Sequence, residues 1–226
     1  MLNRENDRDN IAWDIETTGF SAADEITVSG FWFPDRRAHV ILNAKQSISE
    51  IETVRRVKQE TDPDLDLELT VTNSEAELLQ EMQEIVFHSI DKDYNRLIAY
   101  NGEIWRGGFD LPFLRRRCIH HEIGWIFKGL QYADLYETIK KRINTTVFSS
   151  DGERTDNNDL VGSYEVLFDA DEWDPYQDSE QAVKDYERGR FTLLLAHNIA
   201  DIRRTWELGE VVRKYVSPKD IKTKKL

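Results

Sequence analysis

The chain has 226 residues, of which 32% are charged and 39% hydrophobic, and its formal net charge is −13. This length suits one α/β domain with a substantial core. A charged N-terminus and the lack of an 18-residue apolar run predict neither a signal peptide nor a membrane span, and therefore a soluble cytoplasmic protein. The single Cys118 excludes an internal disulfide. We expect an N-terminal tail at 1–10, one domain at 11–216 and a frayed, basic C-terminal tail at 217–226.

The negative charge is unevenly distributed along the chain. Residues 151–187 contain 13 acids against two basic residues, whereas residues 96–142 contain nine basic residues against five acids. Because Lys and Arg drive phosphate binding, a polyanion is expected to meet the 96–142 side, with 151–187 forming a solvated surface. The acidic composition also favours a high-salt cytoplasm, where salt screens repulsion between the surface and nucleic acid, so a halophilic habitat is a hypothesis.

The first predicted strand, within residues 11–20, carries two acids one residue apart. Side chains at i and i+2 of a strand share a face, so Asp14 and Glu16 project together while Trp13 and Ile15 pack on the other side. Two enclosed carboxylates repel each other unless a cation neutralises them, and Mg²⁺ or Mn²⁺ prefers such oxygen ligands. The alternative is a half-exposed strand whose acids face water.

The next elements predict a mixed sheet. Residues 26–33 and 38–42 alternate as strands and, with the first strand, form an antiparallel meander. A helix beginning after Ser47 or Ser49 leads to a strand at 65–71. A second helix, begun after Asn73 or Ser74, leads to a short buried strand at 96–101, which the crossover rule makes parallel to its neighbour.

Residues 102–110 join that strand to the next helix. Trp105 and Arg106 offer an aromatic face and a cation, the pair that stacks on bases and contacts phosphates, although Trp105 alone could simply cover the core. Asp110 stands in the first helical turn, where an acid either caps the helix or faces the first carboxylates. The run Arg115-Arg116-Arg117 indicates either a phosphate patch or a solvated helix face.

The last third begins with a polar stretch, residues 144–159, which we expect to be a mobile loop. A short helix at 160–168, a loop at 169–178 and one or two helices at 179–208 follow, with a break near Gly189. His197 and Asp201 are four residues apart, so they share one face of the last helix.

Three ordered segments resemble the motifs of the DEDD (DnaQ-like) 3′→5′ exonucleases. They are Asp14-Ile15-Glu16-Thr17-Thr18-Gly19-Phe20, then Ala99-Tyr100-Asn101-Gly102 with Phe109-Asp110-Leu111-Pro112-Phe113-Leu114, and finally His197-Asn198-Ile199-Ala200-Asp201. The resemblance covers residues from about 11 to 208 and is nearest to the branch of family-B polymerase exonuclease domains and stand-alone ribonuclease H-like nucleases. It implies an α/β, ribonuclease H-like fold with a mixed five-stranded sheet flanked by helices.

The resemblance also implies a metal site and a substrate pocket. Two Mg²⁺ or Mn²⁺ ions are expected on Asp14, Glu16, Asp110 and Asp201, one activating water and the other stabilising the leaving 3′-oxygen. The residues expected to bind substrate are Thr17, Thr18, Gly19, Phe20, Asn101, Trp105, Arg106 and Phe109. The expected partners are single-stranded DNA or RNA 3′ ends, without a membrane, and a polymerase or repair protein.

His197 departs from the nearest branch, whose third motif usually has Tyr at this position with the same spacing to the acid. We expect a catalytic role as general base, and the alternative is a histidine that only orients a neighbouring ligand or takes no part in catalysis. The predicted function is a metal-dependent exonuclease on single strands, with DNA favoured. An RNA 3′-trimming nuclease and a catalytically silent nucleic-acid-binding module remain as alternatives.

Overall fold

The computed structural model describes residues 8–103, 109–168, 174–176 and 180–226. The strands are β1 (Asp9–Thr17), β2 (Ile26–Trp32), β3 (Arg37–Asn43), β4 (Asp66–Thr72), β5 (Asn95–Ala99), β6 (Gln131–Asp134), β7 (Thr146–Phe148), β8 (Arg154–Asp156) and β9 (Thr223–Lys225). The helices are α1 (Glu50–Glu60), α2 (Glu75–Ser89), α3 (Asp110–His120), α4 (Leu135–Arg142), α5 (Leu160–Phe168), α6 (Glu180–Glu187) and α7 (Phe191–Tyr215). A short 3₁₀ helix covers Pro218–Asp220.

The main sheet has the order β4-β3-β2-β1-β5-β6-β9. Strands β1, β2 and β3 pair antiparallel, whereas β5 and β6 continue the sheet from β1 in parallel. The prediction of a mixed sheet flanked by helices, antiparallel first and parallel later, is therefore confirmed. The predicted number of five strands is wrong, because the sheet has seven.

The sheet separates two hydrophobic clusters. One face packs against α7 together with α1, α4 and α5, and the other packs against α2 and α3. Alternation along β1 places Trp13 and Ile15 on the α2 and α3 side and leaves Asp14 and Glu16 toward α7. The two pairs thus take opposite faces of the strand, as predicted. Cys118 is buried in the second cluster, where its thiol packs among hydrophobic side chains.

The basic C-terminal segment is the clearest departure from expectation. Residues predicted to fray form β9, which pairs antiparallel with β6 at the sheet edge. The backbone N–H of Leu226 donates to Leu130 O at 2.9 Å, and the N–H of Gly129 donates to Leu226 O at 2.7 Å. These bonds and the pairing with β6 satisfy backbone groups of the segment, so the expectation of fraying is wrong.

Two further expectations on the polar surface need correction. The stretch 144–159 is not simply a loop, because β7 and β8 pair within it as a hairpin. Arg117 is not part of a phosphate patch, because its guanidinium is buried against Glu75 on α2, and its Nη2 lies 2.5 Å from a Glu75 oxygen. Of the three consecutive arginines, Arg116 alone is exposed rather than half-buried or buried.

The break predicted near Gly189 is present, between α6 and α7. Gly189 has φ +69°, a backbone conformation that glycine adopts without the cost a Cβ brings, and α7 then begins at Phe191. Helix α7 lies across the sheet beside β1, β2 and β5. Among the helices that the structure describes, none is long and apolar enough to cross a membrane.

Candidate metal centre

The centre forms where α7 crosses β1. Asp14 pairs with Gly30 of β2 across the sheet, and a Cβ at Gly30 would lie 2.1 Å from Asn198 Oδ1. A glycine at this position therefore lets the helix approach closely. The Asn198 amide donates to Asp14 Oδ2 at 3.0 Å, which links the helix to the acidic strand.

Glu16, His197 and Asp201 lie within reach of one metal ion. Their ligand atoms all lie within 4.8 Å of one another. His197 Nε2 is 3.9 Å from Glu16 Oε1 and 3.8 Å from Asp201 Oδ2. Carboxylate and imidazole groups at this spacing suit a divalent cation such as Mn²⁺ or Mg²⁺.

Asp14 and Asp110 complete the acidic cluster. Asp110 opens α3, at the turn where the sequence predicts either a cap or a ligand, and its side chain is buried. Desolvation, followed by the charges of Asp110, Glu16 and Asp201, raises the pKa of Asp14 well above its usual value. Desolvation and the charge of Glu16 do the same to the pKa of Asp110. Among the described residues, no Lys, Arg or His nitrogen lies within 4.0 Å of either carboxylate.

The other two carboxylates are perturbed in the same direction. Desolvation raises the pKa of Glu16 to about 7, although His197 counteracts it. Desolvation also raises the pKa of Asp201. The four carboxylates are hard to ionise together, because they are desolvated and their negative charges repel each other. A bound multivalent cation would stabilise their ionised forms.

His197 is held by a residue that the sequence does not single out. Its Nδ1 lies 2.8 Å from Asp174 Oδ1, so Nδ1–H donates to that carboxylate and Nε2 faces the acids. Asp174 also accepts from Arg204 Nη1 at 2.6 Å, and Arg204 bonds Asp201 Oδ1 at 2.9 Å. Burial lowers the pKa of His197, but Asp201, Glu16 and Asp174 outweigh it and raise that pKa to about 10.

Asp174 belongs to the stretch predicted to be a solvated acidic surface, so that expectation is wrong at this position. Its side chain is only 7% exposed. Tyr176 lies beside the His197 ring at 5.1 Å and donates its hydroxyl to Asp185 of α6 at 2.7 Å. The one indirect signal in the sequence is Arg204, a cation that α7 buries and that therefore needs an acidic partner.

One cavity of about 440 Å³ opens over the acids. Its walls include Thr17, Gly19, Phe20 and Phe109, four of the predicted substrate residues, together with Val183 of α6. Phe20 is 72% exposed and packs edge to face on Phe109 at 5.0 Å. The aromatic rim above the carboxylates offers an apolar surface on which a planar ring of a ligand can stack.

Thr18 is not brought to this cavity. Its hydroxyl lies 3.2 Å from Asp24 Oδ1 and accepts from the backbone N–H of Glu25 at 3.1 Å, so it stabilises the turn after β1. The predicted substrate residues Trp105 and Arg106 lie outside the described residues.

A second cavity, of about 560 Å³, meets the first at Asp14, Asp110 and Asp201. Asn101 lines it with an unusual backbone, φ +61°, and with a buried Oδ1 that has no hydrogen-bond partner among the described residues. A strained residue with an unused acceptor at a cavity wall suits contact with a ligand donor. Asp134 accepts from the N–H of Asn101 at 3.0 Å and caps α4, so its role is structural.

The comparisons with known proteins concern the fold. No protein-family model matches the chain, and no curated protein matches it by sequence. The solved family B DNA polymerase from the hyperthermophilic archaeon Pyrobaculum calidifontis is similar with a TM-score of 0.56 and 15% sequence identity. The match covers 90% of this chain and 24% of the polymerase chain. At this identity the likeness establishes the fold alone, and the seven-stranded mixed sheet is consistent with a ribonuclease H-like fold.

Proposed function

We propose that this chain is a metal-dependent 3′→5′ exonuclease that removes nucleotides from single-stranded nucleic acid. One observation carries the proposal. Asp14, Glu16, Asp110 and Asp201 converge on one cavity with elevated pKa values. The three motifs resemble those of DEDD exonucleases, which implies that the cluster hydrolyses phosphodiester bonds with two metal ions. The similarity of the fold to part of a family B DNA polymerase supports this interpretation.

The donor set fits hard divalent cations. The cluster offers oxygen ligands and one imidazole, and it lacks cysteine, which soft metals prefer. Glu16 and Asp201 would hold one ion, and Asp14 and Asp110, which line the same cavity, would share in holding a second. Two such ions supply Lewis-acid activation of water and charge stabilisation at the phosphate.

The surrounding residues position the substrate and the histidine. The Phe20 and Phe109 rings offer a surface for the terminal base, and the cavity walls exclude part of the bulk water. Asp174 fixes the orientation of the His197 ring, so that Nε2 faces Glu16 and Asp201. The charges of these acids keep the metal-free imidazole protonated at neutral pH. Cations bound to Glu16 and Asp201 would offset those charges, and Nε2 would then be able to accept the proton of the attacking water.

Matched 5′-labelled DNA and RNA single strands, incubated with Mn²⁺, test the proposal. We expect a ladder of products that shorten one nucleotide at a time, with mononucleotides released and duplex degraded more slowly. A covalently closed single-stranded circle is the control, and it should stay intact because the pocket accepts a free end. Rapid cutting of the circle would indicate an endonuclease, and binding without any cleavage would favour a silent binding module.

The relative rates on DNA and RNA also decide between DNA degradation and the RNA-trimming alternative. That discrimination depends on how the pocket receives a 2′-hydroxyl. DNA is the favoured substrate, so the expected result is faster cleavage of DNA.

A further inference from the structure

We propose that the sheet edge formed by α4 and the C-terminal segment binds the phosphate backbone of the substrate strand upstream of its 3′ end. The basic edge comprises Lys140, Lys141, Arg142, Lys219, Lys222 and Lys225, all exposed. This inference rests on the proposed function, because it assumes that a single strand enters the metal centre.

The basic edge is a local exception in an acidic protein whose net charge is −13. Two acids accompany it, Glu137 beside Lys141 and Asp220 at 2.9 Å from Arg142 Nη2. Within the described part of the chain, no acid lies within 4.0 Å of the side-chain nitrogen of Lys219, Lys222 or Lys225. Three exposed ammonium groups are thus available to phosphates, which drive nucleic-acid binding through counterion release.

The edge is continuous with the second cavity. Tyr136, in the first turn of α4, lines that cavity next to Asn101 and Asp110. Lys140 Nζ lies 5.2 Å from the centre of the Tyr136 ring and 3.3 Å from its hydroxyl. An aromatic ring beside a cation is the combination that binds single strands through stacking and charge.

The C-terminal segment extends this surface away from the cavity. Antiparallel pairing places Thr223 opposite Ala133, just before α4 begins, and Lys225 opposite Gln131 at the far end of β6. Lys222 also acts on Glu137 of α4, whose pKa is lowered first by its hydrogen bond to Lys141. The pairing that prevents the tail from fraying therefore also fixes the position of its lysines.

The second cavity is also lined by acids that repel a polyanion. Asp156 of the β7–β8 hairpin, which pairs with Arg154, and Asp159 line it, and the neighbouring hairpin tip carries Asp151 and Glu153. A strand leaving the metal centre through this cavity is therefore directed toward Tyr136 and the basic edge.

Binding of a fluorescent 20-nucleotide single strand, measured by anisotropy with a chelator present to stop cleavage, tests the proposal. The variant is Lys219→Gln/Lys222→Gln/Lys225→Gln, and the control is Arg55→Gln/Arg56→Gln/Lys58→Gln, which removes equal charge on α1 beside β4 at the other sheet edge. We expect the variant to bind about tenfold or more weakly at low salt. The slope of log K against log salt should fall by about 2, since each phosphate that the protein no longer neutralises lowers it by roughly 0.7.

Substrate length provides the second measurement. With Mn²⁺, the variant should show a raised KM for the 20-nucleotide strand and an unchanged kcat and KM for a trinucleotide, which is too short to reach the edge. Equal binding and equal salt slopes in variant, control and wild type would overturn the proposal. A variant that binds the single strand as tightly as the wild type but has lost binding to an acidic protein would overturn it as well. Failure of the wild type to cleave any strand would refute the proposed function separately, while the anisotropy result would still decide on the edge.

Discussion

Two enclosed groups of charged side chains differ in their surroundings, one around the single carboxylate of Glu75 and the other around the four acids of the candidate metal centre. Glu75, on the α2 and α3 side, is 2% exposed and receives hydrogen bonds from Arg117, from His121 at 2.6 Å and from the Ile26 N–H at 2.8 Å. Although desolvation opposes them, these partners lower its pKa. At the candidate metal centre, burial and mutual repulsion raise the pKa values of all four acids.

The opposite directions of the pKa shifts indicate a structural role for Glu75 and leave the other four acids available for function. Glu75 is matched by cations within the protein, so its charge contributes to holding α2, α3 and β2 together. At the candidate metal centre Arg204 and His197 offset the charge of Asp201 and Glu16 only in part, and no cationic side chain among the described residues lies within 4.0 Å of the Asp14 or Asp110 carboxylate. The remaining negative charge raises the energy of the metal-free protein and would favour a bound cation. Substitutions that break one cluster at a time should therefore have separable effects on cleavage and on stability.

The largest effect is expected on cleavage. Asp14→Asn, Glu16→Gln, Asp110→Asn and Asp201→Asn should each lower kcat by more than about 1,000-fold, because metal ligation contributes several kcal/mol to the transition state. Single-turnover cleavage of a labelled single strand in Mg²⁺ is the measurement. Near-normal activity in any one of the four would remove that residue from the metal site.

The site residues differ in whether a pattern among neighbouring residues of the sequence predicts them. Asp14 with Glu16 follows from strand alternation, and His197 with Asp201 from helical spacing, so both pairs are predictable from a few neighbouring residues. Asp174 is not, because it meets His197 and Arg204 across 23 and 30 residues and has no periodic pattern around it. The mixed sheet was predictable in the same local way, whereas β9 depends on backbone partners in β6 that its lysine-rich sequence does not indicate.

The second prediction concerns folding stability. Glu75→Gln should lower the free energy of unfolding by about 3–5 kcal/mol, because Arg117 is left buried with an incomplete partner. Glu84→Gln is the matched control on the same helix, since its carboxylate is exposed and pairs with His88 at 3.1 Å, and it should change stability by less than about 1 kcal/mol. Asp14→Asn without metal should not destabilise, because it relieves repulsion. Urea unfolding with a chelator present compares all three.

The pH dependence of stability follows from the lowered pKa of Glu75. A carboxylate with a depressed folded-state pKa stabilises the protein above its unfolded pKa, about 4.3, and loses that contribution as the pH falls through the folded value. We expect the difference in stability between wild type and Glu75→Gln to shrink below about pH 4. A difference that stays constant into acid would show that Glu75 is not held as a carboxylate.

The third prediction is stabilisation by metal. Mn²⁺ at about 100 times its Kd should stabilise the wild type by about 2.7 kcal/mol, a rise in Tm of roughly 5–10 °C. Asp201→Asn should lose most of this rise. Glu75→Gln should show the full rise, although its Tm without metal is lower than that of the wild type. An equal rise in Asp201→Asn and wild type would place the bound ion elsewhere.

The smallest effect tests the link between Asp174 and His197. Asp174→Asn keeps the shape of the side chain but removes the charge that holds the His197 Nδ1–H, so we expect kcat to fall by about 10–100-fold with little change in KM. Single-strand cleavage with Mn²⁺ measures both constants, and calorimetry follows stability.

Tyr176→Phe is the control for a purely structural role of this segment. It removes the hydroxyl that donates to Asp185 and keeps the ring beside His197, so it loosens the same segment while leaving the imidazole its carboxylate. If Asp174 only anchors the segment, both variants should lose stability and activity in the same proportion. If Asp174 orients the histidine, the kcat of Asp174→Asn should fall far more than that of Tyr176→Phe at equal stability. Asp174→Asn combined with His197→Ala should then be no slower than His197→Ala alone, because the two residues act through one imidazole.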